Sequence, residues 1–293
     1  MELFFQLLAN TLQIGSVYVL FALGLTLIFG VMKIVNFAHG TFFTAAALVV
    51  TSVMPFATDT LGLSLWAGYL VAAIAAFAVV LCIGAVVFSF GFQHVLKDLN
   101  GSFILSIGLL LVLNGTYLAI YGGAPRSVPQ VVPDTISILG ARLTQQRLAL
   151  VIVAMVVTGA LYLLVERTRL GLALRAVAQD QEAAMLQGMP YRRVALYGFL
   201  IGAALAACAG VLMAPINAVT TVSGDEFLIK AFIIIIIGGL GSVPGAIIGG
   251  LFIGMVESVG GYFFDPSTAT LAMFILVIVF LLVRPQGILG HAE

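Results

Sequence analysis

Along this chain the apolar positions come in long unbroken blocks, not in the alternation of a half-buried strand or the stripe of a soluble helix. Eight blocks stand out, at about 5–30, 41–55, 63–90, 101–120, 147–165, 191–213, 227–258 and 268–283. Runs of roughly 20 apolar residues match the ~30 Å hydrocarbon core of a bilayer. There a helix satisfies every backbone polar group within its own segment. The pattern therefore predicts an all-α integral membrane protein with about eight transmembrane segments, folded as a single transmembrane domain over 1–293. The opening MELFFQLLAN lacks a basic start, and no Ala-x-Ala signal follows it. The first block is accordingly expected to be a span and not a cleaved leader.

Two stretches break the pattern. In GVMKIVNFAHGTFF (30–43), Lys33, Asn36 and His39 interrupt an apolar run. In IIIIIGGLGSVPGAIIGG (233–250), Gly238, Gly239, Gly241, Ser242, Pro244 and Gly245 cluster behind five isoleucines. Paired interruptions of this kind predict discontinuous or re-entrant helices near the midplane. Non-helical backbone is tolerated at that depth only where it is buried in protein or lines a wet cavity. The first break reads equally well as a short cytoplasmic turn.

Polar side chains within spans are functional candidates by default. They are Asn10, Gln13, Ser16 and Thr26 in the first block, Asn114 in the fourth, and Glu257 after the second break, with Asn36, His39 and Thr41 at the first break. Each alone reads most simply as a helix–helix hydrogen bond, and a lone histidine at a helix junction most simply as a capping or packing group. Taken together, a path for a zwitterion calls for scattered hydrogen-bonding groups without strong net charge. On that basis Asn36, His39, Thr41, Gly238, Gly239, Gly241 and Ser242 are the candidate translocation pathway.

Charge distribution adds an orientation. The segment 166–193 holds five of the twelve basic residues. With it in the cytoplasm, helix alternation brings Lys33, Lys97 and Arg284 to the same side. Arg126, Arg142, Arg147 and Lys230 are left on the other, and the positive-inside rule favours this arrangement. The proline-bearing stretch 121–146 then becomes a periplasmic cap with a short strand or two. Composition agrees with the class. Only 8% of residues are charged and 62% are hydrophobic, with mean hydropathy +1.21, where a soluble domain carries about 25% charged residues. A net charge of zero offers nothing to nucleic acid. Cys82 and Cys208 lie in apolar runs and read as packing residues.

The loop 166–190 carries the most specific pattern. RLGLALRAVAQDQEAAMLQGMP has helical spacing, and Asp180 is placed to cap a second short helix. Gly188 suits its C-terminal cap, and Pro190 stops it. A short rigid helix held off the membrane can transmit force, with Arg175, Asp180 and Glu182 orienting a partner. Elsewhere Gly198, Gly202, Ala206 and Gly210 recur every fourth residue, a small-residue stripe for close helix packing. Gly245/Gly249 and Gly250/Gly254 repeat the device. No G-x-x-x-x-G-K-[ST] loop, H-E-x-x-H or Cys/His cluster is present. ATP hydrolysis by a phosphate loop, a metal site and resident catalytic chemistry are thus not expected of this chain.

Glu182-Ala183-Ala184 followed by Gly188 resembles the Glu-Ala-Ala…Gly loop of ABC importer permeases, which docks on the nucleotide-binding subunit. RAVAQDQEAAMLQGMPYRRVALYGFLIGAALAACAGVL is similar to the branched-chain amino-acid permease family, in particular its LivH-type subunit. LTLIFGVMKIVNFAHGTFF, AFIIIIIGGLGSVPGAIIGGLFIGMVE and the tail RPQGILG follow that family in order along nearly the whole chain. The resemblance implies a multi-pass permease of the bacterial inner membrane in which Arg175, Asp180, Glu182, Ala183, Ala184 and Gly188 form the coupling helix. It also implies a second, homologous LivM-type permease, two cytoplasmic LivG/LivF-type ATPase subunits that hold ATP-Mg, and a periplasmic substrate-binding protein meeting 121–146 and 214–226. Cargo would be branched-chain amino acids, with urea, short amides or aromatic acids as the alternative within the family. An ATP-independent secondary transporter or channel would account for the broken helices but not for the capped loop helix. An intramembrane enzyme lacks any catalytic constellation.

Overall fold

Helices form where the apolar blocks predict them. The computed structural model describes every residue except 139, 285–286 and 290–293, and not the side chains of 138 and 266. In chain order the helices are α1 (Glu2–Met32), α2 (His39–Pro55), α3 (Leu65–Phe90), α4 (Leu99–Tyr121), α5 (Gln145–Arg167) and α6 (Arg169–Gln179). They continue with α7 (Gln181–Leu186), α8 (Tyr191–Met213), α9 (Ser223–Gly238), α10 (Val243–Phe263) and α11 (Pro266–Val283). A π-helical turn, Phe56–Thr60, extends α2. Between α4 and α5 an antiparallel hairpin pairs β1 (Thr135–Ile138) with β2 (Ala141–Thr144), Thr135 opposite Thr144.

Among the described residues, seven helices are long and apolar enough to cross a membrane. The eighth apolar block resolves into the shorter α11. The broken seventh block resolves into α9 and α10, and α9 at 16 residues is about 24 Å long.

Helix α1 runs through the centre and is buried from Gln13 onward over nearly its whole length. It packs on α10, α8, α5 and α9. Small residues allow that closeness, because lipid gives little net drive for apolar helices to associate and contact must come from backbone approach. A Cβ on Gly254 would meet Gly15 at 2.6 Å, and one on Gly202 would meet the Gly24 carbonyl at 2.8 Å. Gly210 lies against the Phe43 carbonyl, while Gly198 faces Leu174 and Val31. Ala206, on the same face of α8, is fully buried. By contrast α3, α4 and α11 expose rows of large apolar side chains, Ile74, Phe90, Ile104, Leu111 and Leu282 among them. Water would not wet this surface; hydrocarbon covers it.

These contacts fix relative directions. Gly15 meets Gly254, and Gly30 approaches Gly241, so α1 and α10 are antiparallel. Gly30, the 239–242 turn and the α5–α8 connection therefore share one end, called here the basic end. The hairpin lies at the opposite, cap end. Gln6 anchors it to α1, accepting from the Arg142 N–H at 2.8 Å and donating to the Arg142 carbonyl. Arg126 and Val219 exchange backbone hydrogen bonds that tie the cap to 214–222.

The two breaks differ. After Lys33, which ends α1 in the left-handed conformation (φ 55°), the chain turns back into the protein. Asn36, Ala38 and His39 are completely buried, and His39 reaches Phe21, two-thirds of the way along α1. This is discontinuous backbone inside the bundle, not a surface turn. The second break, by contrast, is a turn at the basic end and not a midplane feature. Gly239 and Gly241 take positive φ (103° and 81°), and Ser242 caps α10 by accepting from the Gly245 N–H. Of the tail RPQGILG, Ile288 and Leu289 donate backbone hydrogen bonds to the Ile237 and Gly238 carbonyls; its Pro285, Gln286 and Gly290 lie outside the described residues.

Candidate functional site

Two sites emerge, one at each end. At the basic end, Thr168 starts α6: its hydroxyl accepts from the Gly171 N–H at 3.0 Å and donates to the Leu164 carbonyl. Leu174 and Val177 turn inward and are buried. Asp180 both ends α6 and starts α7, accepting from the Ala183 N–H at 3.0 Å. Helix α7 closes in a Schellman turn: the Met189 N–H donates to the Ala184 carbonyl, and Gly188 takes φ 81°, a conformation that carries little penalty only without a Cβ. The result is a rigid elbow seated on α8.

The candidate coupling residues fall into four groups. Arg175 points back into the chain, donating to Glu166 at 2.9 Å. Asp180 and Gly188 hold the turns. Ala184 is buried and is a seat, not a surface. Glu182 and Ala183 face outward, joined by Gln187 and by Leu186, which is 88% exposed; Asp180 and Gly188 are exposed as well. The outward face of α7 is thus an apolar tip among polar neighbours.

The pathway candidates are not brought to one place. Near the first break, Asn36 accepts from the Ala38 N–H at 3.0 Å. His39 Nε2 lies 3.3 Å from the Phe21 carbonyl. Thr41 donates to the Ala38 carbonyl at 2.7 Å and its own carbonyl accepts from the Tyr117 hydroxyl at 3.2 Å. Among the described residues, Asn36 Nδ2, His39 Nδ1 and Thr26 Oγ1 are buried with no partner. Gly238, Gly239, Gly241 and Ser242 lie far off at the basic end, where Gly238 is in close backbone contact with Gly245.

Charge counting placed Lys230 on the outer face. The structure puts it inside the bundle, with a side chain only 7% exposed. Its Nζ donates to Glu226 Oε1 at 2.7 Å, to Glu257 Oε1 at 3.0 Å and to the Tyr18 hydroxyl at 2.7 Å. Tyr18 donates in turn to Glu257 Oε2 at 2.5 Å. The network joins α1, α9 and α10 about 21 Å along α10 from the basic end. A buried cation is tolerated only when paired and hydrogen-bonded, and such groups in membrane helices mark function. One signal was available in the sequence: Glu226 and Lys230 sit four residues apart, one helical turn, directly ahead of an apolar run. Only packing supplies Tyr18.

A helical bundle with a charged network buried in its apolar interior and an elbow at one face defines a multi-pass membrane permease. A family model described as the branched-chain amino acid transport system permease component matches residues 7–283, and this chain belongs to that family. The high-affinity branched-chain amino acid permease BraD of Pseudomonas aeruginosa is 32% identical, with 99% of this chain and 97% of the relative covered. LivH of Escherichia coli is 31% identical over 99% and 96%. A solved metal-chelate type ABC transporter in an inward-facing conformation matches in fold, with TM-score 0.52 and 15% identity over 94% of this chain and 85% of that one.

Proposed function

We propose that this chain is the translocating subunit of an ATP-driven importer of branched-chain amino acids, moved by nucleotide hydrolysis on separate subunits. The observation that carries the reading is the elbow: a short helix capped at both ends, seated on α8 through Ala184 and presenting Glu182, Ala183, Leu186 and Gln187 outward. Its place among five basic residues supports a cytoplasmic location. Two phosphate-loop ATPases of LivG/LivF type, binding ATP-Mg, would press on this face. A second, LivM-type permease would complete the bundle, and a periplasmic binding protein would deliver cargo to the hairpin and 214–222. Family membership, and the transport of branched-chain amino acids by BraD and LivH, support the cargo.

The test is co-purification of the complex followed by leucine uptake in proteoliposomes. Glu182→Lys with Leu186→Glu is expected to release the ATPase subunits and cut ATP-driven uptake at least tenfold. The permease's thermal midpoint should stay unchanged, since both side chains are exposed. Uptake by this chain alone, driven by an ion gradient, would overturn the reading.

A further inference from the structure

Beside the Lys230 network lies a cavity of about 330 Å³, in the lower part of the size range of small-ligand sites. Its walls divide by chemistry. Lys230, Arg147, Glu226 and Glu257 give two positive and two negative groups on one surface, while Ile14, Val17, Met213 and Phe227 give an apolar side. Met213, Asn217, Glu226 and Phe227 also line a second cavity of about 380 Å³ against 214–222, so the two adjoin. Beneath them Phe227 stacks on Phe43 at 4.4 Å, and Phe43 lies edge-on to Phe21 at 5.9 Å. This aromatic layer separates the cavity from His39, whose ring is 4.7 Å from Phe21.

Among the described residues Arg147 has no carboxylate partner, and its Nε is buried without a hydrogen bond. An Arg guanidinium is always charged and presents a planar fork matched to a carboxylate. Two such demands, a cation lacking an anion and a carboxylate pair sharing a single lysine, are met together by a molecule bearing one carboxylate and one ammonium. The apolar wall fits an aliphatic side chain.

We infer that this cavity is the cap-side binding site for a zwitterionic amino acid, the carboxylate on Arg147 and the ammonium on Glu226 and Glu257. The inference rests on the cargo class proposed above and adds where, and by which groups, that cargo is held. Its formal neutrality explains passage: the cargo exchanges partners with Lys230 and meets no net charge that would trap it.

The test uses the complete transporter with its binding protein in proteoliposomes, with radiolabelled leucine and ATP hydrolysis followed together. Arg147→Gln is expected to lower leucine delivered per ATP hydrolysed about tenfold, and Arg147→Lys to recover part of the loss. In a second arm, Asn217→Cys on a background lacking Cys82 and Cys208 is labelled with a charged thiol reagent, and leucine should slow the labelling. Unchanged transport per ATP in Arg147→Gln, or labelling indifferent to leucine, overturns the site while leaving the importer reading intact. Absence of leucine uptake by the unaltered complex overturns the cargo class instead.

Discussion

The two ends of the molecule treat their few charged residues in opposite ways. At the cap end Lys230 is shut away from solvent and is satisfied by Tyr18, Glu257 and the more exposed Glu226. At the basic end Arg175 and Glu166 pair in the open, 42% and 38% exposed, and Asp180 is consumed in capping. Desolvation makes the first set expensive to disturb, whereas solvent makes the second nearly free to change. The contrast separates two kinds of surface: a charged network that lines a cavity in the cap half, and an exposed apolar tip at the basic end, the two places to which the proposed function assigns cargo and force.

Three substitutions probe that contrast. Lys230→Met should do most damage, about 2–3 kcal/mol, because Glu257 is left half-buried without its cation; Glu226 is too exposed to add much. The readout is the thermal midpoint in detergent. Adding Glu257→Gln should recover most of the loss, and failure to recover would mean that the network is not a coupled unit. Asp180→Ala should cost about 1 kcal/mol, as an N-cap does. That loss stays local: amide exchange should rise in α7 while the global midpoint barely moves. Arg175→Ala should change stability by less than about 0.5 kcal/mol. A larger shift would show that the basic end is as tightly coupled as the cap end.

Much of this was legible beforehand. Block lengths give the helices, the small-residue spacing of α8 gives its buried face, and Asp180 and Gly188 give the elbow, because caps and spacing are local properties of a sequence. The depth of the first break was not decidable, since an extended run reads alike at the surface and in the interior. The second break was legible as an interruption between two helices, but it was expected near the midplane; its place at the basic end depends on Gly241 meeting Gly30. Lys230 was misplaced because a lysine near a helix start usually lies at the interface, and its partners Tyr18 and Glu257 come from helices distant in the chain. Ala184 could not be separated from Ala183 without knowing which side of a six-residue helix rests on α8.

The close contact of Gly238 with Gly245 has a geometric consequence. Helices α9 and α10 touch most tightly at the basic end, so they form a pair of tongs with the pivot beside the Gly239–Ser242 turn and the jaws at Lys230 and Glu257. Lys230 lies about 12 Å from that pivot along the axis. Opening the tongs by about 10° would carry it roughly 2 Å farther from Glu257 than the present 3.0 Å, beyond the ~3.2 Å reach of a hydrogen bond. A slight twist applied at one face of the membrane would then unlatch an ion pair near the other.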